Sequence, residues 1–76
     1  MKIFVAGAAG VIGRLLLPKL VKAGHEVVGM TRNSERTELI RSLGAEDLVL
    51  DIFDREAVFS AMKDIRPDVV IHQLLH

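Results

Sequence analysis

The chain opens with Lys2-Ile3-Phe4-Val5-Ala6-Gly7-Ala8-Ala9-Gly10-Val11-Ile12-Gly13: a short apolar run, three glycines, and then a helical pattern. An apolar run that turns through glycines directly into a helix is the opening unit of a parallel α/β sheet. The layout also constrains chemistry. The strand aims the chain, and glycines let backbone approach a ligand with no Cβ in the way. The helix N-terminus then offers unpaired N–H groups and a positive dipole end. A nucleotide diphosphate is the ligand this geometry suits.

The remaining pattern alternates strand and helix. Ile3 to Ala6 reads as a buried strand. Val11 to Ala23 reads as a helix with Ile12, Leu15, Leu16 and Leu20 on one face, Pro18 inside it and Gly24 as its stop. Glu26 to Met30 is a second strand. Asn33 or Ser34 caps a second helix running to about Leu43 and ending at Gly44. Leu48 to Leu50 reads as a third strand. Asp54 caps a third helix with Val58, Ala61, Met62 and Ile65 at helical spacing. After the turn Arg66-Pro67-Asp68, Val69 to Ile71 begins a fourth strand. The expected fold is α/β: half of a Rossmann-type doubly wound parallel sheet, strand order 3-2-1-4, with three helices.

Seventy-six residues make one domain, here residues 1–76, and one of marginal stability. Ten Lys and Arg balance ten Asp and Glu, so nothing favours nucleic acid or an anionic lipid surface. No apolar run reaches the roughly 18 residues of a membrane span. With no cysteine, neither a disulfide nor a thiolate is available, which suits a reducing, cytoplasmic location. His25, His72 and His76 lack partners at metal-ligand spacing, so no metal site is expected.

Three places carry the candidate site. The first is the loop. Gly7-x-x-Gly10-x-x-Gly13 has a first gap one residue longer than G-x-G-x-x-G, but its jobs are comparable. Gly7 closes the turn, Gly10 allows approach to pyrophosphate, and Gly13 lets helix pack on sheet. The second is Thr31-Arg32-Asn33, where an acidic residue would grip the ribose hydroxyls of NAD. Arg32 instead suits a 2′-phosphate and can lay its guanidinium over adenine, with Ser34 and Arg36 nearby. A solvated loop arginine is the competing reading. The third is Asp51-Ile52, after the third strand. Asp51 either accepts from an adenine amino group, with Ile52 on the ring, or makes a turn.

These residues resemble the extended and atypical short-chain dehydrogenase/reductase families, including the epimerase/dehydratase group of nucleotide-sugar enzymes. Four features carry the resemblance: Gly7-Ala8-Ala9-Gly10-Val11-Ile12-Gly13, Thr31-Arg32, Asp51-Ile52, and Pro67-Asp68-Val69-Val70-Ile71-His72. The resemblance implies that Gly7, Ala9, Gly10, Val11, Ile12 and Gly13 hold pyrophosphate. It implies that Thr31, Arg32 and Arg36 favour NADP over NAD, and that Asp51 and Ile52 hold adenine. Gln73 and Leu74 fall on the nicotinamide side, where the family often has His-Leu-Ala-Ala and this chain has His72-Gln73-Leu74-Leu75.

The family's catalytic Tyr-x-x-x-Lys lies well downstream of the fourth strand, and this chain has no tyrosine. The resemblance therefore implies the N-terminal part of a reductase, epimerase or dehydratase, not catalytic alone. The competing expectations are a self-associating βαβ unit and a nucleotide-responsive regulator without catalysis. The fourth strand, at one end of the sheet, is the expected edge for homo-oligomer formation.

Overall fold

The computed structural model describes residues 1–72. Four strands, β1 (Lys2–Ala6), β2 (Glu26–Thr31), β3 (Glu46–Val49) and β4 (Val69–His72), alternate with three helices. These are α1 (Val11–Lys22), α2 (Thr37–Ser42) and α3 (Arg55–Ile65). Every pairing is parallel and the order is β3-β2-β1-β4, as the hydrophobic pattern predicts.

The register sorts side chains between two faces. Ile3, Val5 and Val27 point to one side, where they pack with Ala8, Leu17, Ile40 and Ala45. Phe4, Ala6, Val28 and Met30 point to the other, beneath Val58, Ala61, Met62 and Ile65 of α3. Helices α1 and α2 thus cover one face and α3 the other. Full burial of side chains such as Phe4 and Leu17 contributes about 1.5–3 kcal/mol each.

The predicted inner face of α1 is corrected by the structure. Gly13 and Leu17 are buried, with Leu20 and Val21 packed beside them. Ile12 and Leu15 are instead exposed, Leu15 by 65%. The cause is Gly13: its missing side chain lets the helix rest against the backbone of Ala8, just past β1, and this contact sets the rotation of the whole helix. Residues four, seven and eight positions on then share its face. Helix α1 runs on through Pro18, which is exposed. The ring faces water, so the carbonyl that loses its N–H partner can be solvated.

Two other boundaries shift. The expected second helix is divided into a 3₁₀ turn, Ser34–Arg36, and α2. Asn33 does cap it, accepting the Glu35 N–H at 2.9 Å. The third strand is Glu46–Val49 rather than Leu48 to Leu50. An edge strand tolerates the charges of Glu46 and Asp47, which a reading by hydrophobicity passes over. Asp54 caps α3 as expected, accepting the Ala57 N–H at 3.2 Å.

Candidate functional site

Parallel pairing brings the carboxyl ends of all four strands to one edge of the sheet. The glycine loop follows β1, Arg32 follows β2, Asp51 follows β3, and His72 ends β4. Backbone bonds hold the first three together. The N–H groups of Gly7 and Ala8 both donate to the Met30 carbonyl, at 3.0 and 2.9 Å, fixing the loop to the end of β2. The Leu50 N–H donates to the Thr31 carbonyl at 3.0 Å, carrying the row on to Asp51.

The three glycines have separate physical causes. Gly7 has φ of 77°, a left-handed turn that side chains disfavour. Gly13 has no room: an added Cβ would lie 2.3 Å from the Ala8 carbonyl oxygen. Gly10 has neither constraint. Its φ is −74°, and the nearest atom to an added Cβ is the Gly7 oxygen at 3.4 Å, an ordinary contact. The fold does not require glycine at position 10, whereas a ligand lying against its backbone would.

The start of α1 strengthens that reading. Its first N–H groups have no intrahelical acceptor. Gly10 supplies no side-chain cap, and the first turn holds no acidic residue. Asp54 caps α3 with a side-chain oxygen, Asn33 caps the 3₁₀ turn that leads into α2, and α2 carries the acidic Glu38 in its first turn. Gly10, Val11 and Ile12 are exposed, while Ala8 and Ala9 are buried beneath them as the loop floor. The loop fits a diphosphate: an uncapped positive helix end behind a surface with no side chain at its centre.

Among the other predicted residues, Thr31 is buried and its Oγ1 accepts the Asn33 N–H at 3.1 Å. This contact shapes the turn that carries Arg32. Arg32 and Arg36 are both exposed, and among the described residues neither joins an ion pair. Their guanidinium groups remain available to an anion. Asp51 makes a turn, its Oδ1 accepting the Phe53 N–H at 3.0 Å. One carboxylate oxygen suffices for that bond, and the residue is exposed. Ile52 is half-buried against the core under α3. Gln73 and Leu74 lie outside the described residues.

Two contributors are not evident from motif and spacing. The Met30 carbonyl anchors the loop, and Ala8 is the surface on which Gly13 rests. The small pair Ala8-Ala9 between glycines is the available signal for the second. His25 precedes β2 and therefore lies at the opposite end of the sheet from the loop. Among the described residues, no helix is long and apolar enough to cross a membrane.

Known proteins share this arrangement. The model of the NAD dependent epimerase/dehydratase family matches residues 3–74. Over 74 residues the chain is 43% identical to the 3-diazoavenalumate denitrifying reductase of a Streptomyces species, covering 97% of this chain and 23% of that protein. A ketoreductase of Stigmatella aurantiaca acting on 4-hydroxy-2-methyl-3-oxo-4-farnesyl-3,4-dihydroquinoline-1-oxide is 33% identical over 72 residues, 95% of this chain and 21% of that one. Among solved structures, UDP-glucose 4-epimerase of Thermus thermophilus, in complex with NAD, superposes with a TM-score of 0.87 at 30% identity. That match covers 100% of this chain and 24% of the epimerase. The chain thus spans about a quarter of the length of these relatives. The match runs over nearly the whole sequence, and the fold under it is the same, so the chain belongs to the NAD dependent epimerase/dehydratase family.

Proposed function

We propose that this chain is the dinucleotide-binding front of a reductase-, epimerase- or dehydratase-type enzyme, that it prefers NADP(H) to NAD(H), and that it is not catalytic alone. The observation that carries the reading is Gly10, a glycine that the fold itself does not need, at the mouth of an uncapped helix. The loop N–H groups of residues 9–13 would hold the pyrophosphate. Arg32, with Arg36 four residues on across the 3₁₀ turn, would meet the 2′-phosphate, a bidentate partner for guanidinium. Asp51 and Ile52 would receive adenine. The bound dinucleotide would supply hydride chemistry, while these residues bind and orient it. The 76 residues include no tyrosine, so the family's Tyr-x-x-x-Lys pair is not among them. The cysteine-free composition accords with a cytoplasmic setting.

Titration with NADPH and NADH, followed by calorimetry, tests the reading. NADPH should bind more tightly, and Arg32→Glu should erase or reverse the difference. Equal affinity for the two in the original chain would refute the preference. No binding of either would refute the site.

A second reading is favoured by β4. Among the described residues β4 is an outer strand of the sheet, and Val69 and Val70 on it are 37% and 54% exposed. We read this edge as a place of self-association, compatible with dinucleotide binding at the strand ends.

A further inference from the structure

β2 lies between β3 and β1, so its carboxyl end is anchored on both sides. The Met30 carbonyl accepts the loop N–H groups, and the Thr31 carbonyl accepts the Leu50 N–H. By the alternation of the strand, the Thr31 side chain falls on the same face as Val27, the one covered by α1 and α2. Thr31 is 7% exposed and, among the described residues, is the one buried polar residue. Valine has nearly the same shape and suits a buried strand position equally well. The hydroxyl is what threonine adds, and a buried hydroxyl is favourable only through the hydrogen bonds it makes.

That bond is local. Thr31 Oγ1 accepts the Asn33 N–H at 3.1 Å, which ties together the two residues flanking Arg32. The turn is fixed further along as well. The Asn33 side chain accepts the Glu35 N–H at 2.9 Å, and the Asn33 carbonyl accepts the Arg36 N–H at 3.0 Å. Thr37 Oγ1 donates to the Ser34 carbonyl at 3.0 Å. Arg32 is exposed, yet the backbone on either side of it is held from the buried end of β2.

We propose that the Thr31 hydroxyl is a positioning group for the choice between NADP(H) and NAD(H): it acts through Arg32, by fixing the direction in which that side chain leaves the backbone. The inference rests on the dinucleotide reading above and names what within the chain sets its selectivity. Guanidinium binds phosphate through a planar, two-point contact, and such a contact depends on the aim of the side chain. With the turn closed, binding has only the rotations of the Arg32 side chain left to order. Without the Thr31 oxygen the Asn33 N–H turns to water, the turn opens, and binding must order backbone as well. NADH carries a hydroxyl where NADPH carries the 2′-phosphate, so its affinity does not depend on that order.

Calorimetric titration of Thr31→Val and Thr31→Ser with NADPH and NADH tests the assignment, with circular dichroism as a check on folding. Thr31→Val keeps the shape and removes the oxygen. It should lower the NADPH-to-NADH affinity ratio about fivefold and leave NADH within about twofold of the original. Thr31→Ser keeps the oxygen and should keep the ratio. With Arg32→Leu in place, Thr31→Val should change the ratio no further, because the arginine it aims is gone. If Thr31→Val does not fold, Thr31→Ala, which also lacks the oxygen, is read in the same way. An unchanged ratio in Thr31→Val overturns the positioning role while the preference for NADP(H) stands. So does an equal loss of both ligands, which marks a purely structural threonine, and so does a lowered ratio in Thr31→Ser or a further fall on top of Arg32→Leu. Equal or absent binding of the two dinucleotides by the original chain overturns the cofactor reading and this inference with it.

Discussion

Gly13 rests on the backbone of Ala8 so closely that a methyl group in its place would come 2.3 Å from the Ala8 carbonyl oxygen and 2.6 Å from its carbonyl carbon. This contact links loop, helix and sheet. It determines which side of α1 is buried, and it holds the first turn of α1 over the loop whose N–H groups the ligand would use.

The two helix-side glycines should therefore separate stability from binding. Gly13→Ala forces backbone apart and should cost about 1–3 kcal/mol, a large share for so small a domain. Gly10→Ala meets only an ordinary 3.4 Å contact and should leave stability within about 0.5 kcal/mol. Yet it should weaken NADPH binding at least about tenfold, by putting a methyl where the diphosphate approaches. Urea unfolding and calorimetry on both variants provide the check. Loss of stability with unchanged binding in Gly10→Ala would contradict the assignment.

Asp54→Ala removes the side-chain cap of α3, whose Oδ1 accepts the Ala57 N–H. The loss should be about 1 kcal/mol, with Asp54→Asn or Asp54→Ser close to the original. Among the described residues α3 is the one helix over its face of the sheet. The lost stability should therefore appear in far-ultraviolet circular dichroism as an earlier global unfolding transition, not as local fraying.

Fold and loop were legible because each signal was local. Val5 and Val28 sit in continuous apolar runs, Gly7 and Gly10 mark the turn, and Asp54 stands where a cap belongs. What was not legible depended on neighbours distant in sequence. Leu15 has the same hydrophobicity as Leu17, and periodicity alone admits either face. Only the Gly13–Ala8 contact chooses Leu17. Glu46 and Asp47 look like a loop until they are seen pairing with Val28 and Gly29 at a sheet edge. At the site, Asp51 offered two readings. The turn is present, and it leaves one carboxylate oxygen free, so neither role excludes the other.

Arg66 closes α3 in the left-handed region, at φ of 49° and ψ of 61°. Its N–H donates to the Met62 carbonyl at 2.9 Å, a helix end usually assigned to glycine. The conformation costs a residue with a Cβ about 1–2 kcal/mol, partly offset by the greater unfolded-state entropy of glycine. Arg66→Gly should therefore stabilise by about 0.5–1 kcal/mol. Arg66→Val should destabilise, since a β-branched side chain suits this region worst. Matched urea titrations distinguish the two, and a less stable Arg66→Gly would refute the argument.

Asp51 allows the adenine contact to be tested apart from the fold. Asp51→Asn retains an oxygen to accept the Phe53 N–H, so the turn and overall stability should stay within about 0.5 kcal/mol of the original. The change falls on the other side-chain atom, where an acceptor becomes an amide donor that would face the adenine amino group in the proposed site. Two donors then oppose each other, and a hydrogen bond to a charged acceptor, about 1.5–3 kcal/mol, is lost. Affinity for NADPH should drop by about tenfold or more. A dinucleotide carrying hypoxanthine in place of adenine has a carbonyl there instead. It should bind the original chain more weakly than NADPH and bind Asp51→Asn at least as well as NADPH does. Calorimetry on the two proteins with the two ligands forms a cycle whose coupling measures this contact alone. If Asp51→Asn weakens both ligands equally, or neither, then Asp51 serves only the turn and adenine is held elsewhere.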